Sequence, residues 1–140
     1  MKIPDKVFKT LNHSYKGFVT LYTGQEIEPG YKPDLVLRKA NQYIILESET
    51  ATSRKTYVGG MMKAAHFLQN KKKGKLIFVV YPKKNTKAVS IAMHLRPYLD
   101  WIKNVTNLKD VYVIEAGKYY SGGNVLSLDC KDFLSCAFKV

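Results

Sequence analysis

Two short apolar runs, Leu35-Val36-Leu37 and Ile44-Ile45-Leu46, stand close together in the chain, with acids at their outer ends: Asp34 after Pro33, and Glu47-Ser48-Glu49 after Leu46. Runs this short bury as strands, and the short polar link between them allows only an antiparallel hairpin. A turn centred on Ala40-Asn41 sets Arg38 opposite Tyr43 and brings Asp34 opposite Glu47. Directly opposed residues have Cβ atoms about 4.5–5.5 Å apart, close enough to share one cation. Glu49 projects to the same face as Glu47, because side chains two apart on a strand point together. Like charges so close repel, and a fold assembles them around a cation or a shared proton. Hard oxygen donors select Mg²⁺, with Mn²⁺ as a substitute. Taken singly, each acid also reads as a solvated strand-end residue, and Asp34 as a turn residue after Pro33.

The remaining elements follow from periodicity. Pro4 to His13 carries Val7, Phe8 and Leu11 at helical spacing, with Pro near the start. Gly17 to Thr23 alternates as a strand, and Gln25 to Lys32, with Pro29-Gly30, reads as a loop carrying Glu26 and Glu28. Lys75 to Tyr81 is a continuous apolar run halted by Pro82, the pattern of a strand buried on both faces. Val111 to Glu115 is another. Between them, Thr86 to Asn104 is helical, with Pro97 predicting a kink or a split. Met61 to Leu68 is helical too, but Gly59-Gly60 predicts either a start after Gly60 or a need for bare backbone. Val125 to Val140 adds a strand or a short helix. The expected order is helix, three strands, helix, strand, helix, strand: an α/β fold with a mixed central sheet flanked by helices. At 140 residues, the chain is expected to form a single domain spanning residues 1–140.

Charge then restricts the partner. Basic residues number 23 against 11 acidic, a formal net charge of +12, and the arginines are only Arg38, Arg54 and Arg96. Lysine attracts phosphates without reading bases, so a polyanion recognised by backbone or shape is expected. Lysine richness also occurs for reasons unrelated to binding. No apolar run is long enough to span a membrane, and the polar start from Met1 to Lys6 has no signal-peptide stretch behind it; a soluble, cytoplasmic protein is expected. Cys130 and Cys136 with His13, His66 and His94 form no zinc spacing, which leaves reduced structural thiols. His66 and His94 fall within helical patterns and read as packing or surface residues.

Parallel strands deliver their C-terminal ends to one edge. Lys83 and Lys84 therefore emerge beside the acids, as do Lys118, Tyr119 and Tyr120, forming a basic and partly aromatic rim with Arg54. Lys71-Lys72-Lys73 precede their strand and belong at the opposite end.

Pro33-Asp34 followed by Glu47-Ser48-Glu49 at the end of an apolar strand, then a helix and a second apolar strand, resembles the PD-(D/E)xK nuclease superfamily of restriction endonucleases and archaeal Holliday junction resolvases. The resemblance runs from about Phe18 to Glu115. It implies a restriction endonuclease-like core and a Mg²⁺-dependent endodeoxyribonuclease that hydrolyses phosphodiesters in duplex or branched DNA. By position it implies Asp34 and Glu47 as metal ligands, with the Ser48 carbonyl as a third. Glu49 occupies the family's lysine position, where it would assist catalysis or bind metal. Lys55, with Lys63 behind it, becomes the candidate replacement lysine on the following helix. Glu26 and Glu28 are weaker candidates for an extra ligand, and Tyr57 for a substrate contact. Cutting two strands needs two sites, so a homodimer is expected. The departure at Glu49 keeps open a non-catalytic nucleic-acid-binding or assembly protein on the same fold.

Overall fold

In a computed structural model that describes residues 3–140, the chain folds around a six-stranded mixed sheet with helices on both faces. The polar start at Met1 and Lys2 lies outside the described residues. The elements run α1 (Asp5–Thr10), β1 (Val19–Tyr22), β2 (Leu35–Lys39), β3 (Gln42–Glu49), α2 (Arg54–Phe67), β4 (Lys73–Val80), α3 (Ala88–Ile102) and β5 (Leu108–Glu115). After them come α4 (Ala116–Tyr119), a small hairpin of β6 (Tyr120–Ser121) and β7 (Asn124–Val125), α5 (Lys131–Cys136) and β8 (Phe138–Lys139). The first eight elements appear in the predicted order, and the C-terminal stretch supplies both a helix and a strand.

The sheet order is β1-β2-β3-β4-β5-β8. β1, β2 and β3 pair antiparallel, β3, β4 and β5 pair parallel, and β8 closes the far edge antiparallel to β5. The β2–β3 hairpin turns through Ala40-Asn41, with Ala40 at a positive φ of 53° and the Arg38 Nε donating to the Ala40 carbonyl at 2.7 Å. That turn fixes the register: Arg38 opposes Tyr43, and the ladder ends at Leu35 opposite Leu46. Asp34 and Glu47 are the next residues outward on each strand.

Each central strand buries both faces, which explains its unbroken apolar runs. Val36, Tyr43, Ile45, Leu76, Phe78, Val80, Val111 and Val113 pack under α2 and α3. Leu35, Leu37, Ile44, Leu46, Ile77, Val79 and Ile114 pack on the other side with Ile3, Phe8, Tyr119 and Phe133. His13 is buried there, with Nε2 and Nδ1 each 2.6 Å from an oxygen: the Phe8 carbonyl and the Tyr119 hydroxyl. A carbonyl only accepts, so Nε2 carries the proton and the Tyr119 hydroxyl donates to Nδ1.

Of the two readings the glycines leave open, α2 takes the one in which bare backbone is wanted: it starts at Arg54 and runs through both glycines, because Tyr57, Met61, Ala64 and Ala65 bury one face. That burial outweighs a glycine cost of about 1 kcal/mol each. α3 continues unbroken through Pro97. Pro97 lies on the solvent side, where water can satisfy the carbonyl that the missing N–H leaves free. Cys130 and Cys136 are free thiols, and the Cys130 Sγ accepts from the Phe133 N–H at the start of α5. Among the described residues no helix is long and apolar enough to cross a membrane.

Candidate functional site

Because β3, β4 and β5 are parallel, Glu49, Val80 and Glu115 end on one edge of the sheet. A cleft of about 460 Å³ opens there between the end of β3, the loop before β2 and α2. α2 contributes Thr56, Gly59, Gly60 and Lys63, which follow the three- and four-residue steps of a single helical face, and that face lines the wall. Glu47 and Glu49 supply the acids, Tyr31 and Lys32 the opposite lip, and Phe78 the floor. A Cβ on Gly60 would sit 3.2 Å from the Phe78 ring and 3.9 Å from Glu47 Oε2. Bare backbone at Gly60 therefore lets the helix approach the acid closely. A Cβ on Gly59 would meet nothing within 4 Å.

Burial disfavours the charged forms of both Asp34 and Glu47. Burial pushes the Glu47 carboxyl up to about 8, with the negative charges of Asp34 and Glu49 adding to the rise and Lys63 opposing it. Asp34 is also raised, first by burial, against the stabilising Ser48 N–H. Its Oδ2 accepts that N–H at 2.7 Å, and Lys9 of α1 comes to 4.0 Å of Oδ1. Glu49 folds back, its Oε1 accepting from the N–H groups of Thr50 and Ala51 at 2.9 Å each.

Asp34 and Glu47 thus stand at one site as the register implies, but the three-carboxylate convergence does not form. Among the described residues no group of three or more His, Cys, Asp or Glu side chains is arranged to hold a metal. The reason is local: two backbone amides compete successfully for one Glu49 oxygen, and Asp34 spends one oxygen on Ser48. Two desolvated carboxylates with raised proton affinity do suit a hard cation that takes most of its other ligands from water and phosphate. They do not suit a cation needing a full protein cage. Ser48 participates through its amide.

The lysine assignments shift. Lys55 lies in the first turn of α2, exposed, whereas Lys63 lines the cleft. Lys55, in the turn before Gly59, stands at the edge of the cleft-facing side of α2 and is not among the residues that line the cleft. Arg54, Lys83 and Lys84 do come together: the Arg54 guanidinium donates to the Asn85 carbonyl at 3.2 Å, tying α2 to the loop carrying both lysines. Lys118 is exposed but lines a separate cavity of about 260 Å³ with Glu115, Ser135, Cys136 and Phe138. Tyr119 belongs to the core at 1% exposure and presents no ring face to a ligand. Glu28 bonds His66 at 2.8 Å, Glu26 is exposed, and the Tyr57 hydroxyl donates to the Ala51 carbonyl.

Sequence reasoning missed Tyr31. Its hydroxyl is buried with no hydrogen-bond partner among the described residues, and burial together with the charges of Glu47, Glu28 and Asp34 raises its proton affinity. Nothing in its loop signals that placement. The Thr56, Gly59, Gly60, Lys63 spacing, by contrast, was a readable signal for a helix face. Comparison with protein-family models, with curated proteins and with solved structures finds no match to this chain.

Proposed function

We propose that the protein is a divalent-metal-dependent endodeoxyribonuclease of the PD-(D/E)xK type with a restriction endonuclease-like core, acting on duplex or branched DNA in the cytoplasm. The observation that carries this reading is the pair of desolvated carboxylates, Asp34 and Glu47, the second of which lines a lysine-flanked cleft, on a protein of net charge +12. Such acids are costly to keep ionised, and a bound Mg²⁺ or Mn²⁺ relieves that cost. When bound, the cation supplies an acidified water and neutralises phosphate charge.

The chain's own residues do the rest. Asp34, held by the Ser48 amide, and Glu47, on the wall of the cleft, would hold the cation through their carboxylate oxygens. Lys63 and Lys32 flank the cleft and draw the phosphodiester toward the acids. Gly59 leaves room for the phosphate to approach α2. Arg54, Lys83 and Lys84 extend the basic path beyond the cleft. Glu49 orients water through the carboxylate oxygen that its own turn does not use.

A second reading is favoured by one observation. Glu49 replaces the motif lysine and is committed to the amides of Thr50 and Ala51, which suits a protein that binds nucleic acid without cutting it. Incubating purified protein with linear and branched DNA in Mg²⁺ or Mn²⁺, beside Asp34→Ala, separates the two. Cleavage that requires metal and is abolished by Asp34→Ala is expected. Retained DNA binding without cleavage in either metal would replace the enzyme by the binding protein.

A further inference from the structure

Among the described residues, the Tyr31 hydroxyl is the only buried side-chain polar atom without a hydrogen-bond partner. Folded proteins satisfy nearly every such atom, and an exception destabilises the fold unless a ligand or a second state supplies the partner. Comparably buried tyrosines show the contrast: the Tyr57 hydroxyl donates to the Ala51 carbonyl at 2.9 Å, and the Tyr119 hydroxyl to His13 at 2.6 Å. Tyr31 is also held in place. Its ring packs in the core beneath α2 and α3, its N–H donates to the Glu28 carbonyl at 2.9 Å, and its carbonyl accepts from the Ile27 N–H at 3.0 Å. The hydroxyl oxygen therefore stays where it is, and a partner must come to it. Three acids act on it, Glu47 most strongly, then Glu28 and Asp34. Glu28 is engaged with His66 at 2.8 Å and Asp34 with the Ser48 amide at 2.7 Å. Glu47 lines the cleft together with Tyr31, and its one backbone donor is the Asp34 amide. A carboxylate accepts at about four lone-pair sites, so Glu47 has capacity for a second donor.

We propose that Tyr31 is the positioning residue for Glu47: in the cation-loaded site one Glu47 oxygen turns onto the Tyr31 O–H, and the other is left to the cation. Carboxylates that ligate a metal are themselves hydrogen-bonded, and the donor fixes which oxygen faces the metal. The Tyr31 oxygen is sealed from solvent, so neither bulk water nor a phosphate in the cleft reaches it, whereas a side chain from the adjoining strand end does. Tyr31 thus acts through Glu47 and does not touch the substrate. In the metal-free protein its hydroxyl is left without a partner, a cost that the loaded state removes. This role rests on the cation-binding reading of Asp34 and Glu47 and adds to it a residue from the loop before β2, which no metal-ligand spacing would single out.

Tyr31→Phe tests this, because it keeps the ring and removes only the hydroxyl. Thermal melts of the metal-free protein and Mn²⁺ binding followed by electron paramagnetic resonance read the two states separately. Without metal the hydroxyl has no partner to lose, so Tyr31→Phe is expected to raise the melting temperature by about 2–4 °C. With metal the same substitution is expected to weaken Mn²⁺ binding about tenfold or more. A hydroxyl with a purely structural role does not move the two readouts in these opposite directions. Asp34→Ala supplies the reference, since Mn²⁺ that the wild type holds and Asp34→Ala does not is bound at the acids. If Tyr31→Phe holds that Mn²⁺ as tightly as the wild type, the role of Tyr31 is overturned and the cation-binding reading stands. A Tyr31→Phe protein that melts lower without metal also overturns it, because the hydroxyl is then already bonded in the metal-free fold. A wild type that binds no more Mn²⁺ than Asp34→Ala overturns both.

Discussion

The carboxylate of Asp34 accepts a hydrogen bond from the backbone N–H of Ser48 at 2.7 Å, which ties the acid ahead of β2 to the middle of the acidic triplet that ends β3. This bond holds the negative charge of Asp34 beside Glu47 even though burial disfavours both charges. A bond from a backbone amide to a carboxylate is charge-assisted and outlasts a solvated lysine contact.

Neutralising Asp34 while keeping its acceptor should therefore reach Glu47. In Asp34→Asn the side-chain carbonyl still accepts from Ser48 and the burial of Glu47 stays, but the Asp34 charge that adds to its rise is gone. The Glu47 carboxyl, which burial and its acidic neighbours push up to about 8, is expected to move down toward its ordinary value. Carbon-detected NMR of the Glu47 carboxyl reads the shift, and an unchanged midpoint would mean that the two acids are uncoupled.

Glu47 also sets a pH dependence for the metal-free protein. Its folded value of about 8 lies above the unfolded value of 4.5. Between these the folded state holds a proton that the unfolded state has released, so raising pH favours unfolding. Stability should decline across that window by on the order of 5 kcal/mol and level off above it. Glu47→Gln should flatten the decline, and MnCl₂ should restore stability at the alkaline end by binding the ionised folded form. Denaturant titrations at either end of the window give the slope.

The two glycines of α2 predict opposite outcomes. Gly59→Ala meets no atom within 4 Å, so it should gain about 0.5–1 kcal/mol of helix stability while obstructing the cleft. Gly60→Ala places its methyl 3.2 Å from Phe78, and the overpacking should cancel or reverse that gain. Thermal melts separate the pair, and DNA-binding assays should show Gly59→Ala weakened despite its added stability.

Lys63, rather than Lys55, should carry the cationic role. Lys63→Met is expected to lower DNA cleavage by at least about tenfold, or ~1.4 kcal/mol, whereas Lys55→Met should change it little. Equal losses in single-turnover assays would return the role to the first turn of α2 or to the general charge of the helix.

His13 governs the acid side. Burial lowers its proton affinity, so the unfolded state takes up a proton near its ordinary value of 6.5 before the folded state does. Stability is then fully present above that value and is lost as pH falls toward the lower folded value. His13→Asn should remove this loss while weakening α1 packing, and imidazole NMR titration beside denaturant melts checks both.

Much of this site was legible in the sequence because the hairpin leaves little freedom. A two-residue turn at Ala40-Asn41 and alternating burial fix the register, and the register alone carries Asp34 to the level of Glu47. Strand positions were equally readable, since Lys75 to Tyr81 has no polar face to expose. The direction of Glu49 was not readable, because a flexible side chain chose between a neighbouring acid and two nearby amides. Tyr119 was misplaced on the rim because α4 turns it back under the sheet to bond His13.

What the sequence by itself determined, then, is the order of strands and helices, the mixed sheet, the strongly positive charge and the pairing of two acids. Each of these follows from local periodicity or from a short covalent link. Only the tertiary structure decided that α2 runs through its glycines, that Lys63 rather than Lys55 lines the cleft and that Tyr31 buries its hydroxyl among acids. Those outcomes depend on how one rigid element rotates against another, and that rotation is fixed by packing between residues far apart in the chain.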